Sequence, residues 1–463
     1  MMKNKILIYT PEIFSRVRYI FDFILNEFSG LEYEFTSDKL AFQRYDFPKI
    51  NYSSGKLEDE IHLVSDEVLF ENGISDKIKF KNLNPVGKCF YALSRYEEYL
   101  PHEKDIHGRF SGKGKVYKTP FVDQWILDFQ QELKSKYPEL VFKKRNFELI
   151  LTCDVDQAWK YKHKGLKRTW GAYTKDLFRL NLKELKSRRS TISGKIPDSF
   201  DTFDFFQSLL RQAQDDELRQ AQDDRLRQAQ DDRLRQAQDD GIRKNQEEKS
   251  GKKIQNNHTE RHGEPVEPSV RMIFFWLMAD YGPFDKNNPV NNVQFQNKIR
   301  EVSNWADCGI HPSYTSNSNP GKLKVEIERL EKIIGKKITK SRHHYLKLNF
   351  PGTYQNLIEK GITEDYTLAY ADETGFRAGT STPFFWYDLS KEKQSELKIH
   401  PFCAMDVAMR NYMKLSTKEA TAELQRLKSE VQKVNGQMIV LFHNSNFHGE
   451  WEGWDKVLES LVE

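Results

Sequence analysis

With 463 residues the chain is too long for one ordinary hydrophobic core, so its length predicts two or three domains. Its 72 basic and 68 acidic residues leave a net charge of +4, which gives no reason to expect nucleic acid or an anionic membrane as a partner. The longest apolar run, residues 273–279, is far below the roughly 20 residues of a membrane-spanning helix. The four cysteines are scattered and form no disulfide framework, so we predict a cytoplasmic protein with free thiols.

Residues 1–140 are predicted to form a smaller N-terminal α/β domain. A short strand is predicted for KILIYT, and a helix opened by Pro11 for PEIFSRVRYIFDFILNEF. Apolar residues at helical spacing predict two further helices, KCFYALSRYEEYLP and FVDQWILDFQQELKSK. Between them, DIHGRFSGKGKVYKTP is predicted to be a loop that contains glycines.

The tract RQAQDDELRQAQDDRLRQAQDDRLRQAQDDGI, residues 211–242, repeats every eight residues. Eight residues advance a helix by about 800°, so Leu218, Leu226 and Leu234 drift by about 80° per repeat and form no straight stripe. The stretch that follows is rich in Lys, Asn, Glu and Pro. We therefore predict that residues 211–268 are a low-complexity insertion, disordered or partly helical. A binding coiled coil is the alternative.

The rest of residues 141–463 is predicted to alternate between strands and helices, which is typical of a parallel α/β sheet or barrel. The predicted strands after the insertion are VRMIFFWLMADYG, GIHPSY, SRHHYLKL, LKIHPFCAMD and QMIVLFHN. Among the predicted helices, KLKVEIERLEKIIG has one apolar face and a stop signal at Gly335.

Polar residues follow several of these strands, where parallel α/β folds collect their functional groups. FELILTCDVD places Asp154 and Asp156 at the end of a buried strand, and side chains two apart on an extended segment point the same way. One acid could hold a metal while the other handles protons. His311 and His443 end other predicted strands, although each residue taken alone is compatible with a purely structural role.

Five stretches of the chain resemble the motifs of the polysaccharide deacetylase superfamily, carbohydrate esterase family four. LTCDVD resembles its first motif in the variant Thr-His-Asp-Val-Asp, GIHPSYTS the second, and SRHHYLKL the arginine-bearing third. DYTLAYADETGFRAGTSTPFFWYDL is similar to the fourth-motif region of this Asp-Val-Asp branch, and IVLFHN to the fifth motif. LSRYEEYLPHEKDIHGRF resembles an accessory domain that precedes this branch. The resemblance covers most of the chain except the insertion.

This resemblance implies a distorted (β/α) barrel that removes acetyl groups from sugars with zinc or another divalent metal. Asp154 would be the general base, His443 the general acid, and Arg342 or Arg377 would orient the base. The substrate would be an acylated carbohydrate, in a surface polysaccharide or its precursor.

The implied metal ligands depart from the family pattern. Asp156 would be a ligand displaced by one position and His311 a second ligand, but the histidine expected four residues after it is Thr315. His344 could complete the set, because catalytic zinc takes three protein ligands plus water. The alternatives are a weaker divalent site, a metal-free enzyme, a hydrolase of a small non-sugar amide, or an inactive glycan-binding relative.

Overall fold

The N-terminal part of the chain forms a small parallel sheet with helices. The computed structural model describes residues 5–57, 60–112, 114, 116–216, 219, 222, 227 and 270–462. The first four strands, paired in the order β2–β1–β3–β4, are β1 Lys5–Tyr9, β2 Glu32–Thr36, β3 Lys49–Ser53 and β4 Ile61–Val64. The helices of this part are α1 Ser15–Phe21, α2 Lys39–Gln43, α3 Pro85–Leu93 and α4 Phe121–Lys136.

A nine-stranded sheet follows, in the order β10–β11–β9–β8–β7–β6–β5–β13–β12. Among the described strands of this sheet, only the β10–β11 pair is antiparallel. Its strands are β5 Glu148–Val155, β6 Val270–Trp276, β7 Asp307–Ile310, β8 Lys340–Ser341, β9 Glu364–Asp365, β10 Phe384–Asp388, β11 Lys393–Ile399, β12 Ala404–Met405 and β13 Gln437–His443. The predicted α/β class is confirmed. The order of strands is linear within the described residues, so closure into a barrel is not confirmed.

Eight helices accompany this sheet within the described residues. They are α5 Leu166–Phe178, α6 Leu182–Ile192, α7 within 203–216, α8 Val293–Val302, α9 Pro320–Ile334, α10 Gly352–Glu359, α11 Thr417–Lys433 and α12 Trp454–Glu459. Helix α9 falls where the sequence predicts a helix and ends at Gly335, whose φ of +77° suits glycine, as predicted. Among the described residues, no helix combines the length and apolar character that crossing a bilayer requires.

Several predicted elements differ from the structure, each for a local reason. Helix α1 begins at Ser15 rather than near Pro11, because Phe14 is extended. Arg95 has a φ of +54°, which ends the helix predicted for KCFYALSRYEEYLP. Tyr345 has a φ of +61°, so SRHHYLKL is a strand only at its start and then turns. Pro401 interrupts LKIHPFCAMD, which is split between β11 and β12.

The two sheets share one continuous hydrophobic cluster. It includes Ile8 and Phe21 of the N-terminal part together with Trp386 and Leu397 of the larger sheet. Burial on this scale is the main favourable contribution to folding. The division into domains 1–140 and 141–463 remains a prediction.

The predicted insertion begins inside a helix that packs on the core. Residues 211–216 belong to α7, and Ala213 is only 3% exposed, so the start of the repeat is helical and partly buried. The bounds of the insertion, 211–268, remain a prediction. The remainder of the predicted insertion lies outside the described residues, except for residues 219, 222 and 227.

Replacing residues 220–268 with a short Gly-Ser linker is expected to leave the protein folded, with its Tm within about 2 °C of the wild-type value. Helix α7 stays in this variant because it supplies buried side chains. Thermal unfolding followed by circular dichroism measures the effect. Aggregation, or a Tm lowered by more than about 5 °C, would show that the repeat contributes to the fold.

Candidate active site

The carboxyl ends of neighbouring strands bring most of the predicted site residues together at one edge of the large sheet. Asp154 on β5 lies in direct register with His443 on β13. His311 follows β7, and its Nε2 atom lies 3.7 Å from Asp154 Oδ2 and 3.5 Å from Asp156 Oδ1. Both acids of the Asp-Val-Asp sequence therefore face the same imidazole, as their spacing predicts.

Asp156, His311 and His344 form a cluster of three potential metal ligands. One donor atom from each residue lies within 4.8 Å of the other two, and Asp156 Oδ1 is 3.3 Å from His344 Nε2. Asp156 Oδ1 and His311 Nε2 are buried, with no hydrogen-bond partner in the described part of the chain. Buried polar atoms without partners are costly unless a ligand satisfies them. Two imidazole nitrogens and one carboxylate oxygen are a donor set that suits zinc in catalytic sites.

Each histidine of the cluster is held through its other ring nitrogen. His311 Nδ1 donates to the carbonyl of Arg342 at 2.5 Å, and His344 Nδ1 lies 3.0 Å from Asp285 Oδ1. Such partners fix the ring orientation and leave Nε2 free for a metal. Thr315, where the family pattern has a histidine, instead directs its hydroxyl at Asp285 Oδ2, 3.5 Å away. Sequence reasoning missed Asp285, which lies in a loop after β6.

The ionisable groups of the cluster shift one another's pKa values. Burial alone would raise the pKa of the Asp156 carboxyl, but His344 and His311 hold it well below its usual range. Burial alone would lower the pKa of His344, but Asp156 and Asp285 raise it to about 10. The cluster thus concentrates negative charge around two imidazoles, which favours a cation at this point.

Asp154 is buried next to the cluster and held by Arg342. Arg342 Nη1 donates to Asp154 Oδ1 at 3.2 Å and to Thr152 Oγ1 at 2.6 Å. The guanidinium lies between the rings of Phe275 and Phe402, 4.7 Å from each centroid, and is fully buried. This environment fixes the direction of the Asp154 carboxylate.

Arg377 does not share this role, so this part of the prediction is corrected. Its Nε donates to Glu98 Oε1 at 2.9 Å, its Nη2 to Glu98 Oε2 at 2.5 Å, and its Nη1 to the carbonyl of Ala369. Arg95 Nε also donates to Glu98 Oε1, at 2.8 Å. The carboxylate that pairs with Arg377 is therefore Glu98 of the N-terminal part. Of the two arginines, Arg342 is the one that contacts Asp154.

Replacing Glu98 with glutamine is expected to lower the free energy of unfolding at pH 7 by roughly 3–5 kcal/mol, because the buried guanidinium of Arg377 loses its carboxylate and that of Arg95 keeps only Glu97. Burial alone would raise the pKa of Glu98, but Arg377 and Arg95 hold it at about 2. Its stabilising effect is complete above the unfolded pKa of about 4.3 and is lost as the pH falls towards 2. Urea unfolding should show a smaller difference between variant and wild type at pH 3 than at pH 7. Equal differences would contradict this assignment.

His443 forms a pair with Asp406, which follows β12. His443 Nδ1 lies 2.9 Å from Asp406 Oδ1, and the backbone N–H of His443 donates to Asp406 Oδ2 at 2.8 Å. Asn446 Nδ2 donates to the same oxygen at 2.9 Å. Burial lowers the pKa of His443, but Asp406 outweighs this effect and raises it to about 9. Sequence reasoning missed Asp406, although it too is an acid at the end of a predicted strand.

The potential metal ligands, Asp154 and His443 all face one cavity of about 330 Å³. Asp154, Asp156, His311, His344 and His443 all line it. Part of the wall is aliphatic, from Leu346, Met405, Val407 and Leu441. A larger cavity of about 560 Å³, lined by Arg168, Arg300 and Arg329 among others, contains none of the predicted site residues.

The fold and the site define a mainly parallel α/β protein with a candidate metal-assisted active site at the ends of its strands. Residues 6–138, less than a third of the chain, match a family of unknown function, DUF7033. A comparison with curated proteins gave no match.

Two solved structures are similar in part. One is a protein of Mycobacterium smegmatis named as a candidate polysaccharide deacetylase, 14% identical, with a TM-score of 0.29 over 42% of this chain and 65% of that one. The other is the polysaccharide deacetylase Bc1974 of Bacillus cereus, 14% identical, with a TM-score of 0.24 over 42% of this chain and 72% of its own. The chain thus spans less than two thirds of the first structure. Scores this low do not establish a shared fold.

Proposed function

We propose that this chain is a metal-assisted hydrolase that removes an acetyl or other acyl group from an amino sugar of a surface polysaccharide or its precursor. One observation carries the proposal: the cluster Asp156, His311 and His344 lines the same cavity as Asp154 and His443. A general base and a general acid beside a ligand set are the groups that acyl hydrolysis needs.

Asp156, His311 and His344 would hold the metal, with zinc as the leading candidate. When bound, a divalent cation supplies Lewis acidity for an acyl carbonyl and lowers the pKa of water. Asp154 would accept the proton of the attacking water, since its Oδ2 lies only 3.7 Å from His311 Nε2, on the side of the cluster. Arg342 would donate a hydrogen bond to the other carboxylate oxygen, Asp154 Oδ1, and so hold the carboxylate in the orientation needed for proton transfer.

His443 would donate a proton to the leaving amine. An amine leaves poorly without that proton, so the acid must be charged at the working pH. The Asp406 carboxylate keeps His443 protonated by raising its pKa to about 9, against the effect of burial. The imidazole is held through Nδ1, so Nε2 is the nitrogen that would donate.

The amino-sugar substrate rests on the five motif resemblances, and the aliphatic part of the cavity wall suits a small acyl group. The experiment is metal analysis of the purified full-length chain, followed by acetate release from N-acetylated mono- and oligosaccharides. Stoichiometric metal and metal-dependent acetate release would support the proposal. Metal without acetate release would favour a non-sugar amide as substrate. Absence of both would favour an inactive relative.

Replacing Asp406 with asparagine is expected to shift the alkaline limb of the kcat–pH profile to lower pH by about 1–3 units. The rate falls as His443 loses its proton, and removal of the Asp406 charge lowers the pKa of His443. A full pH profile of acetate release measures the shift, and thermal unfolding checks that the variant folds. An equal rate loss at every pH, with the limb unmoved, would show that Asp406 only supports the structure.

A further inference from the structure

Helices α5 and α6 form a hairpin that projects from the fold just beyond the candidate active site. The hairpin, residues 162–196, follows β5, the strand that carries Asp154. Asp198 closes its base, because the carboxylate accepts hydrogen bonds from the backbone N–H groups of Tyr161 at 2.9 Å and Lys162 at 3.0 Å. The two ends of the hairpin are thus fixed together.

The inner face of this hairpin is polar. Arg188 Nε and Nη2 donate to Asp176 Oδ2 at 3.0 and 2.8 Å, and the Tyr161 hydroxyl donates to Glu184 Oε1 at 2.9 Å. Within these two helices, which are described in full, the buried residues are Asp176, Arg188 and Thr191. A surface helix that serves only its own fold buries an apolar stripe, so this hairpin is amphipathic in the opposite sense.

The outer face of the hairpin is apolar. Eight of the 19 large apolar side chains that are strongly exposed in the described residues lie in this one hairpin. Six of them are between 60% and 89% exposed: Leu166, Trp170, Leu177, Phe178, Leu180 and Leu182. Residues 166, 170 and 177 share one side of α5, and residues 178–182 span the turn into α6. Single exposed apolar residues are ordinary, but a contiguous patch indicates a binding surface.

The same hairpin is strongly basic. Residues 162–196 contain 11 lysines and arginines and only two acidic residues, whereas the whole chain has a net charge of +4. The two acids, Asp176 and Glu184, make the inward contacts described above. Seven of the cations are exposed, among them Lys183 and Lys186. The rest of the chain is therefore net negative, and the overall charge conceals this asymmetry.

We propose that the α5–α6 hairpin docks the protein on an anionic phospholipid surface. The exposed leucines and aromatic rings enter the interfacial layer, and the lysines and arginines contact lipid phosphates. Trp170 is of the residue type that favours this layer. With 13 and 11 residues, the two helices lie on a bilayer rather than cross it. The inference goes beyond the proposed function and does not depend on it.

Charge favours this occupant over a second copy of the chain. Two hairpins meeting face to face would bring one surface of net charge +9 against another, whereas an anionic bilayer complements each of them. A polyanion without apolar parts, such as nucleic acid, would leave Trp170, Phe178 and Leu180 in water. An apolar outer face flanked by cations is the pattern of helices that bind at the membrane interface.

The test is sedimentation of the full-length protein with vesicles of phosphatidylcholine alone and with vesicles of phosphatidylcholine and phosphatidylglycerol in equal parts. We expect wild type to bind the mixed vesicles, to leave phosphatidylcholine vesicles unbound, and to lose affinity at high salt. The double variants Phe178→Ser/Leu180→Ser and Lys183→Glu/Lys186→Glu should each bind the mixed vesicles about tenfold more weakly. Circular dichroism checks that each variant folds.

The matched controls change exposed residues outside the hairpin. Leu40→Ser/Val64→Ser removes two exposed aliphatic side chains, and Lys144→Glu/Lys418→Glu changes the net charge as much as the hairpin charge variant does. Both controls should bind the mixed vesicles like wild type. Equal losses in the hairpin variants and their controls would refute the proposal.

The remaining outcomes identify what covers the hairpin instead. The proposal is refuted if wild type binds neither kind of vesicle or binds both equally. A dimer that Phe178→Ser/Leu180→Ser dissociates in analytical ultracentrifugation, without vesicle binding, would assign the surface to a second copy. Vesicle binding that arises only after residues 220–268 are removed would assign it to that segment, and the proposal would fail for the intact chain.

Discussion

Replacing Asp154 with asparagine is expected to lower kcat for acyl hydrolysis by about 10³-fold, the scale of a lost general base. The bound metal should remain. An amide oxygen can still accept the hydrogen bond that Arg342 donates at 3.2 Å, so the geometry persists while proton acceptance is lost. Acetate release under single-turnover conditions and metal content per chain are the two measurements.

The matched control for this prediction is Asp156→Asn, two residues further along the chain. Asp156 Oδ1 lies close to Nε2 of both His344 and His311, so this variant should lose its metal together with its activity. Loss of metal in Asp154→Asn and retention in Asp156→Asn would show that the two roles are reversed. Full activity in Asp154→Asn would remove this carboxylate from the reaction.

The positions of the clustered residues could be predicted because one rule places them. Asp154, Asp156, His311 and His443 all lie at or just beyond strand ends, and parallel strands deliver those ends to one edge. The spacing of Asp154 and Asp156 predicted a shared side, and both carboxylates do face His311. Their chemical roles remain predictions, because proximity alone does not assign a proton or a metal.

The partners of these residues could not be chosen from the sequence in the same way. Arg342 and Arg377 were equally suitable until their acidic partners were known, and Glu98, the partner of Arg377, lies 279 residues away in the chain. Asp285 belongs to a loop without any repeating pattern. Asp406 could have been found from the sequence, because it ends a predicted strand. In the structure that strand is interrupted around Pro401, and Asp406 follows the second piece, β12.

The contribution of the N-terminal part to the cavity also lay beyond sequence reasoning. The segment DIHGRF was predicted only as part of a loop that contains glycines. Arg109 lines the cavity and contacts Tyr345 and Tyr412, which are 236 and 303 residues distant in the chain. Contacts at such separations depend on how two sheets pack, and hydrophobic periodicity reports only which face of each element is buried.

Replacing His344 with alanine is expected to weaken metal binding by more than about 100-fold. Loss of a residue that only supports a metal ligand weakens metal binding ten- to a hundredfold, and this variant would lose a ligand itself. It would also leave the buried carboxylate of Asp285 without its imidazole, 3.0 Å away in the wild type. Competition for zinc with a chelating dye measures the affinity, and thermal unfolding confirms that the variant folds.

His443→Ala is the matched control for the metal affinity of His344→Ala. It removes an imidazole from the same cavity, but His443 is held by Asp406 and belongs to no ligand cluster in the described residues. We expect this variant to bind metal like wild type and to lose about 10²–10⁴-fold in kcat, as a missing general acid would. If both variants lost metal equally, His443 would belong to the ligand set. If His344→Ala kept its metal, the site would have to be built from other residues, because Asp156 and His311 alone are too few for catalytic zinc.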